Sequence, residues 1–122
     1  MPGTPDLARK SGSASTYHKV AAASTNADSV KGSPGILTGY YLVNIAGTFR
    51  YVKLYNTAGT PTVGTDVPRC VYGIPPLSAA NMVLAFPAAF ETGIGIAIVT
   101  GIQDSDATAV AANDVAVTLH YV

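Results

Sequence analysis

The sequence predicts an all-β protein with one domain, in which about eight short strands form an antiparallel sandwich or a barrel. Two observations support this prediction. Val, Ile, Thr and Tyr are frequent from Tyr17 to the end of the chain, and turn-forming residues interrupt them at short intervals. Apolar residues make up 48% of the 122 residues and charged residues 11%, a balance that argues against disorder and favours a packed core.

Residues 1–16 differ from the rest of the chain. They are rich in Gly, Pro, Ser and Thr, carry Arg9 and Lys10 near their centre, and have Leu7 as their only large aliphatic residue after the first position. A segment of this composition does not fold alone. We therefore expect an extended N-terminal arm over 1–16, lying against a neighbouring molecule or on its own domain, and a β-sandwich domain over 17–122.

Eight strands are expected after the arm, separated by residues that favour turns. Gly, Pro and Asn occur in most of the connections and supply the backbone conformations that tight turns need. The predicted strands, in order, are 17–23, 28–32, 36–45, 49–56, 68–74, 80–86, 92–102 and 114–122.

Two of these strands have unusual faces. Strand 92–102 has isoleucine on one face, at positions 94, 96, 98 and 102, and small residues on the other, at Gly95, Ala97, Val99 and Gly101. The small face suits close approach of another layer or another subunit. Strand 36–45 is apolar on both faces, and strict alternation groups Ile36, Tyr40 and Leu42 against Leu37, Tyr41, Val43 and Ile45. Because a sandwich buries one face per strand, the second apolar face predicts a further cover, most simply another subunit.

Charge is scarce and unevenly placed along the chain. Seven Lys and Arg balance seven Asp and Glu, so the formal net charge is +0, and every cation lies at or before Arg69. Direct binding of nucleic acid needs an excess of cations and is not expected. The uneven placement is either chance or the sign of a polarised molecule whose copies meet head to tail or that lies on an oppositely charged partner.

No membrane or secretion signal is predicted. The longest uncharged stretch, Cys70–Phe90, is interrupted by prolines and polar residues, and the first residues contain no apolar run. We therefore expect a soluble protein that is made in a cytoplasm and does not enter a membrane.

The residues that usually carry chemistry do not form a recognisable pattern. His18 and His120 lie in the first and last predicted strands, but no metal-binding spacing surrounds them. Catalysis by the Cys70 thiol needs a general base, and no pattern in the sequence indicates one for it. Asp104 and Asp106 suggest a calcium loop, but the Gly and Glu of an EF-hand are missing. We expect no enzyme activity, no catalytic residue, no metal and no cofactor.

Aromatic residues alternate with a cation along strand 49–56. Such a stripe stacks on a sugar or accepts an apolar side chain of a partner, although the same pattern also forms an aromatic ladder within one sheet. The predicted partner interface combines this stripe with the arm and consists of Leu7, Arg9, Lys10, Tyr51, Lys53 and Tyr55.

Five short motifs follow one another in a distinctive order. They are Arg50–Asn56 (RYVKLYN), Pro61–Asp66 (PTVGTD), Ile74–Pro76 (IPP), Thr92–Ala97 (TGIGIA) and Asp104–Val110 (DSDATAV). In this order they resemble the small β-sandwich virion proteins of tailed phages, of the head decoration or cement type. The resemblance covers 17–122 and leaves the arm outside it.

The resemblance implies a jelly-roll-like antiparallel sandwich that binds the outer surface of the major capsid lattice and stabilises the head by bridging neighbouring subunits. It also implies that the chain is a dimer or trimer, that its partner is the phage major capsid protein, and that it lies on the capsid exterior after synthesis in the bacterial cytoplasm. The alternative is a phage tail or fibre module that recognises a cell-surface glycan through Tyr51, Tyr55 or the loop around Asp104.

Overall fold

A computed structural model describes residues 13–122, and these residues form eight β-strands and no helix. The strands are β1 (Ser15–Val20), β2 (Asp28–Lys31), β3 (Gly35–Asn44), β4 (Arg50–Asn56), β5 (Cys70–Ile74), β6 (Ser78–Phe90), β7 (Ile94–Val99) and β8 (Val115–Tyr121). The all-β prediction is confirmed. The first strand begins at Ser15, within the predicted arm, and the remaining arm residues 1–12 lie outside the described part of the chain.

The strands form two antiparallel four-stranded sheets. Sheet A has the order β1-β8-β3-β6, and sheet B has the order β2-β7-β4-β5. The pairing is symmetric about the connection between β4 and β5, because β1 pairs with β8, β2 with β7, β3 with β6, and β4 with β5. The chain is therefore one long hairpin wound into two layers, and the predicted antiparallel sandwich is confirmed.

The core lies between the two sheets and is built from alternate residues of the central strands. Leu42 and Leu119 of sheet A meet Leu54 and Ile96 of sheet B, and none of these side chains is exposed. Each such burial contributes about 1.5–3 kcal/mol relative to an exposed side chain. The alternation predicted for β4, β7 and β8 reflects this shared interior.

Strand β7 is buried on both faces. Its isoleucines lie in the core, and its small residues lie under two loops, 57–69 and 100–110. A Cβ atom added at Gly95 would lie 2.8 Å from Thr57 Cγ2 and 3.0 Å from Pro61 Cδ. The layer that approaches the small face is therefore the chain's own loop. Ile102 was expected on the isoleucine face, but β7 ends at Val99 and Ile102 is exposed in the loop.

A bulge in β3 changes which residues face the core. The register with both neighbouring strands shifts between Leu37 and Gly39. Because the bulge inserts one residue, Leu37 joins Leu42 in the core, whereas Ile36 lies outside with Tyr41. The strict alternation predicted for 36–45 is wrong for Ile36 and Leu37 for this reason.

Strand β6 is longer than the predicted 80–86 because it continues beyond Pro87. Proline is compatible with an edge strand, where its missing N–H faces away from the neighbouring strand. The register with β3 passes from Val83 opposite Gly39 to Ala88 opposite Leu37, so residues 84–87 form a bulge. No described segment forms a helix of the length and apolarity needed to cross a membrane.

Candidate partner interface

The aromatic and cationic stripe lies along one face of β4, as predicted. This face points away from the core, but loops cover much of it. Val52 and Leu54 point into the core, and Tyr51, Lys53 and Tyr55 point to the other side of sheet B. Lys53 is 0% exposed and Tyr55 is 1% exposed. A partner therefore touches these two side chains only if the covering loops move.

Lys53 attaches the 100–110 loop to the sheet. Its Nζ donates hydrogen bonds to the backbone carbonyl oxygens of Gln103 and Asp106. Burial lowers the pKa of the Lys53 ammonium group, and the negative charges of Asp106 and Asp104 partly oppose that shift. A buried ammonium group that meets two carbonyl oxygens has a structural role, which is to hold this loop over β4 and β7.

Tyr55 lies beside Lys53 beneath the same cover. Its hydroxyl is buried and has no hydrogen-bond partner among residues 13–122. Burial raises the pKa of the Tyr55 hydroxyl, and the carboxylates of Asp66 and Asp104 raise it further. The ring packs under the two loops, which also meet each other, since a Cβ atom at Gly64 would lie 3.3 Å from the Cβ of Ala107.

The accessible part of the stripe is a pair of stacked rings. The centroids of Phe49 and Tyr51 are 6.0 Å apart with an interplanar angle of 20°. The Tyr51 ring also lies over Gly73 of β5, where an added Cβ atom would be 3.0 Å from Tyr51 Cε1. Phe49 is about half exposed and Tyr51 is half-buried, so this pair presents an aromatic surface without any loop movement.

The two histidines lie in the first and last strands, as predicted, and these strands are neighbours in sheet A. His18 on β1 is opposite Thr118 on β8, with 3.0 Å between Nδ1 and Oγ1, and His120 lies 3.4 Å from the hydroxyl of Thr16. Both imidazoles are exposed and each has a threonine as its neighbour. Within residues 13–122, no group of three or more His, Cys, Asp or Glu side chains is arranged to hold a metal ion.

The acidic residues near the loops stabilise turns. Asp106 Oδ1 accepts a hydrogen bond from the Thr108 N–H at 2.9 Å, and Asp66 Oδ2 accepts one from the Thr62 N–H at 2.8 Å. These are the local bonds by which aspartate favours turns. The side chain of Asp104 is exposed.

Cys70 is half-buried where the two sheets meet at β5. Contact with the Cys70 thiol adds to the effect of burial in raising the pKa of the Tyr72 hydroxyl. The ring of Tyr72 lies 4.5 Å from the ring of Tyr40 on β3, so the cysteine belongs to an aromatic cluster at this side of the sandwich.

The most exposed large apolar side chains lie on β6 and beside it. Val83 is 89% exposed and Phe86 is 93% exposed, and Met82 on the same strand and Leu77 just before it are also exposed. Sequence reasoning did not select these residues. The available signal was the uncharged stretch Cys70–Phe90, which becomes informative only once it is known to contain two edge strands.

The arm residues Leu7, Arg9 and Lys10 lie outside the described part of the chain, so the structure does not place them beside Tyr51. Their role at a partner interface stays a prediction. Comparison of the chain with protein-family models, with curated proteins and with solved structures found no match.

Proposed function

We propose that the sandwich is a jelly roll and that the protein decorates the head of a tailed phage. The order of the strands supports the first part, because a hairpin with β4 and β5 at its tip, wound into two sheets, is the arrangement of an eight-stranded jelly roll. Jelly rolls occur in viral capsid proteins and also in lectins and cupins, so the fold alone does not select a function. The resemblance of the five motifs favours the virion.

The observation that carries the proposal is the exposed apolar surface of sheet A. Ile36, Tyr41, Met82, Val83 and Phe86 are all exposed on β3 and β6. Exposed apolar side chains grouped on one sheet favour a site of protein interaction. A large protein lattice is a partner that such a surface fits, and binding of this type needs no reactive side chain.

The proposed mechanism is stabilisation by binding. The protein binds the outside of the major capsid lattice across the boundary between neighbouring subunits, and its arm, with Leu7, Arg9 and Lys10, extends the contact to a neighbour. A ligand that binds only the assembled lattice stabilises it by about 2.7 kcal/mol per site at a hundredfold excess over Kd. On the outer face of sheet B, Tyr51 of the exposed aromatic pair is a second candidate contact, and Lys53 and Tyr55 hold the loops beside it. The protein acts as a dimer or trimer on the capsid exterior.

The test uses purified heads of the encoding phage that lack this protein. We expect the full chain to bind them at symmetric lattice positions, visible by electron cryomicroscopy. A chain without residues 2–12 keeps β1 and is expected to fold, but to reach lower occupancy. Tyr41 lies on the outer face of sheet A and Tyr51 on the outer face of sheet B. Comparing Tyr41→Ala with Tyr51→Ala shows which face meets the capsid, because the variant on that face loses occupancy. Val67→Ala, in an exposed loop, serves as the control. Failure of the full chain to bind heads at any concentration contradicts the proposal.

One observation favours a second candidate, a tail or fibre module that binds a cell-surface glycan. The stacked and partly exposed rings of Phe49 and Tyr51 resemble the aromatic platforms on which sugars pack. A glycan array with the full chain and with Tyr51→Ala tests this candidate. Binding that Tyr51→Ala abolishes, together with density only at the tail, favours the glycan module over the decoration protein.

A further inference from the structure

Strand β6 has an open edge. It lies at the end of sheet A, and within residues 13–122 only β3 pairs with it. Just after β3, the N–H of Ile45 donates a hydrogen bond to the carbonyl oxygen of Asp114, just before β8. Because backbone groups alternate in direction along a strand, the odd-numbered residues 41–45 direct their N–H and C=O groups to β8 and the even-numbered ones direct theirs to β6. The even-numbered residues of β6 lie opposite them and form the hydrogen bonds between the two strands. The N–H and C=O groups of Ala79, Asn81 and Val83 therefore point outward.

The first half of β6 is regular and uncharged. Its register with β3 runs without interruption from Ser78 opposite Asn44 to Val83 opposite Gly39, and the bulge and Pro87 follow. No charged residue occurs between Arg69 and Glu91. Natural sheets protect their edges with lysine, proline or bulges, and residues 78–83 have none of these.

The other three edges are less suited to pairing. Strands β1 and β2 carry Lys19, Asp28 and Lys31. Strand β5 is uncharged but has only 5 residues, and two prolines follow it. Among the four edges of the described sandwich, β6 alone combines length, regularity and absence of charge.

Val83 is exposed because its neighbour on β3 is a glycine. A Cβ atom at Gly39 would lie 2.7 Å from the Met82 carbonyl oxygen, so no side chain is tolerated there and none covers Val83. Within residues 13–122 no strand pairs with the other side of β6, and Val83 is 89% exposed. An exposed valine at an unpaired sheet edge is a surface that a second strand can cover.

We propose that β6 pairs with β6 of a second copy of this chain, antiparallel and about a two-fold axis at Asn81. In this register Asn81 faces Asn81 of the partner subunit, and Ala79 faces Val83 of the partner subunit on either side. Each of these pairs is of the type that exchanges two N–H···O bonds. The two four-stranded sheets then form one continuous sheet, and Val83 gains a neighbour.

The charge of the strand favours a second copy as the occupant. A two-fold axis brings identical residues together, so any charge on the strand would repel its own copy. The uncharged segment 78–83 avoids this cost entirely. The inference rests on the proposed function only for the expectation of an oligomer, and free protein tests it without any capsid.

The experiment measures self-association of the full chain by sedimentation over a range of protein concentrations. We expect a concentration-dependent dimer. Val83→Lys places a lysine inside the pairing edge and is expected to raise the dimer dissociation constant by about tenfold or more, whereas Val67→Lys, an equivalent change in a loop, leaves it within about twofold. Circular dichroism checks that both variants fold.

A cross-link tests the register. In a Cys70→Ser background, Asn81→Cys is expected to form a dimer disulfide under mild oxidation, because the Cα atoms of a directly opposite bonded pair are about 5.5 Å apart, within disulfide range. Thr16→Cys on β1, at the opposite edge of sheet A, is the control and is expected not to cross-link. A monomer at all concentrations, or a dimer that tolerates Val83→Lys and does not cross-link at position 81, overturns the inference. A monomer that still decorates heads refutes the inference and the expected oligomer but not the decoration role, and a β6 dimer that does not bind heads refutes only the proposed function.

Discussion

Asn44 joins three segments of the chain at the end of the sandwich where β6 begins. It is fully buried. Its Oδ1 accepts a hydrogen bond from the Ala46 N–H at 2.8 Å, and its Nδ2 faces the carbonyl oxygens of Thr48, Ile74 and Pro75 at 2.9, 3.0 and 3.2 Å. One side chain thus fixes the turn after β3 and the end of β5 together.

Asn44→Ala removes this junction. The amide has two N–H groups, so it forms two strong donated bonds and one accepted bond. Each bond contributes about 1 kcal/mol net, and a buried group left without a partner costs about 1–3 kcal/mol. Ala46 and Ile74, two of the residues whose backbone groups bond to the Asn44 side chain, are buried. We therefore expect the free energy of unfolding to fall by about 3–5 kcal/mol, a large part of the total of about 5–15 kcal/mol for a domain.

Urea denaturation, at one protein concentration and followed by circular dichroism, measures this loss. At an m value of about 2 kcal/mol/M the expected loss moves the midpoint by about 2 M. Gln103→Ala is the control, because it truncates an amide side chain that is exposed and expected to change stability by less than about 0.5 kcal/mol. A loss below about 1 kcal/mol for Asn44→Ala would show that water replaces the amide and that the junction is not what orders this end.

Two further predictions concern backbone contact and alkaline pH. Gly93→Ala places a Cβ atom 2.6 Å from Thr57 O and 2.7 Å from Lys31 O, so we expect the free energy of unfolding measured in urea to fall by about 1–3 kcal/mol. Gly47→Ala, with nothing within 4 Å, is the control and is expected to leave stability nearly unchanged. Equal effects of the two variants would contradict this prediction. Burial raises the pKa of Tyr17, whose hydroxyl donates to Asp28 Oδ2 at 2.8 Å, and burial also raises the pKa of Tyr72. Because the folded state keeps these protons when the unfolded chain loses them, the free energy of unfolding is expected to fall as pH rises above about 10, and Tyr17→Phe is expected to reduce that slope. The lowered pKa of Lys53 acts in the opposite direction below its ordinary value of 10.5, so a free energy that keeps rising well above that pH would refute the tyrosine prediction.

The sequence pattern predicts the strands well because each depends on local preference and alternation. All eight predicted strands overlap a strand of the structure. The predictions failed where a feature depends on the neighbouring strand. The bulge in β3 reverses Ile36 and Leu37, and nothing in their own residue types signals it.

The candidate site was harder to predict than the fold. The pattern of Tyr51, Lys53 and Tyr55 correctly indicates one face of β4, but whether that face is open depends on loops that return from distant parts of the chain. A lysine in such a stripe is normally exposed, and here two backbone carbonyl groups compensate its burial. The exposed edge of β6 follows from the order of the strands in sheet A. Alternation within one strand carries no information about that order.

The most direct test of the proposal that this chain decorates a phage head is its copy number and position in purified phage particles. The proposal predicts hundreds of copies at regular positions on the head exterior, measured by quantitative mass spectrometry against the major capsid protein and located by electron cryomicroscopy. A handful of copies confined to the tail, or none on the particle, would contradict it.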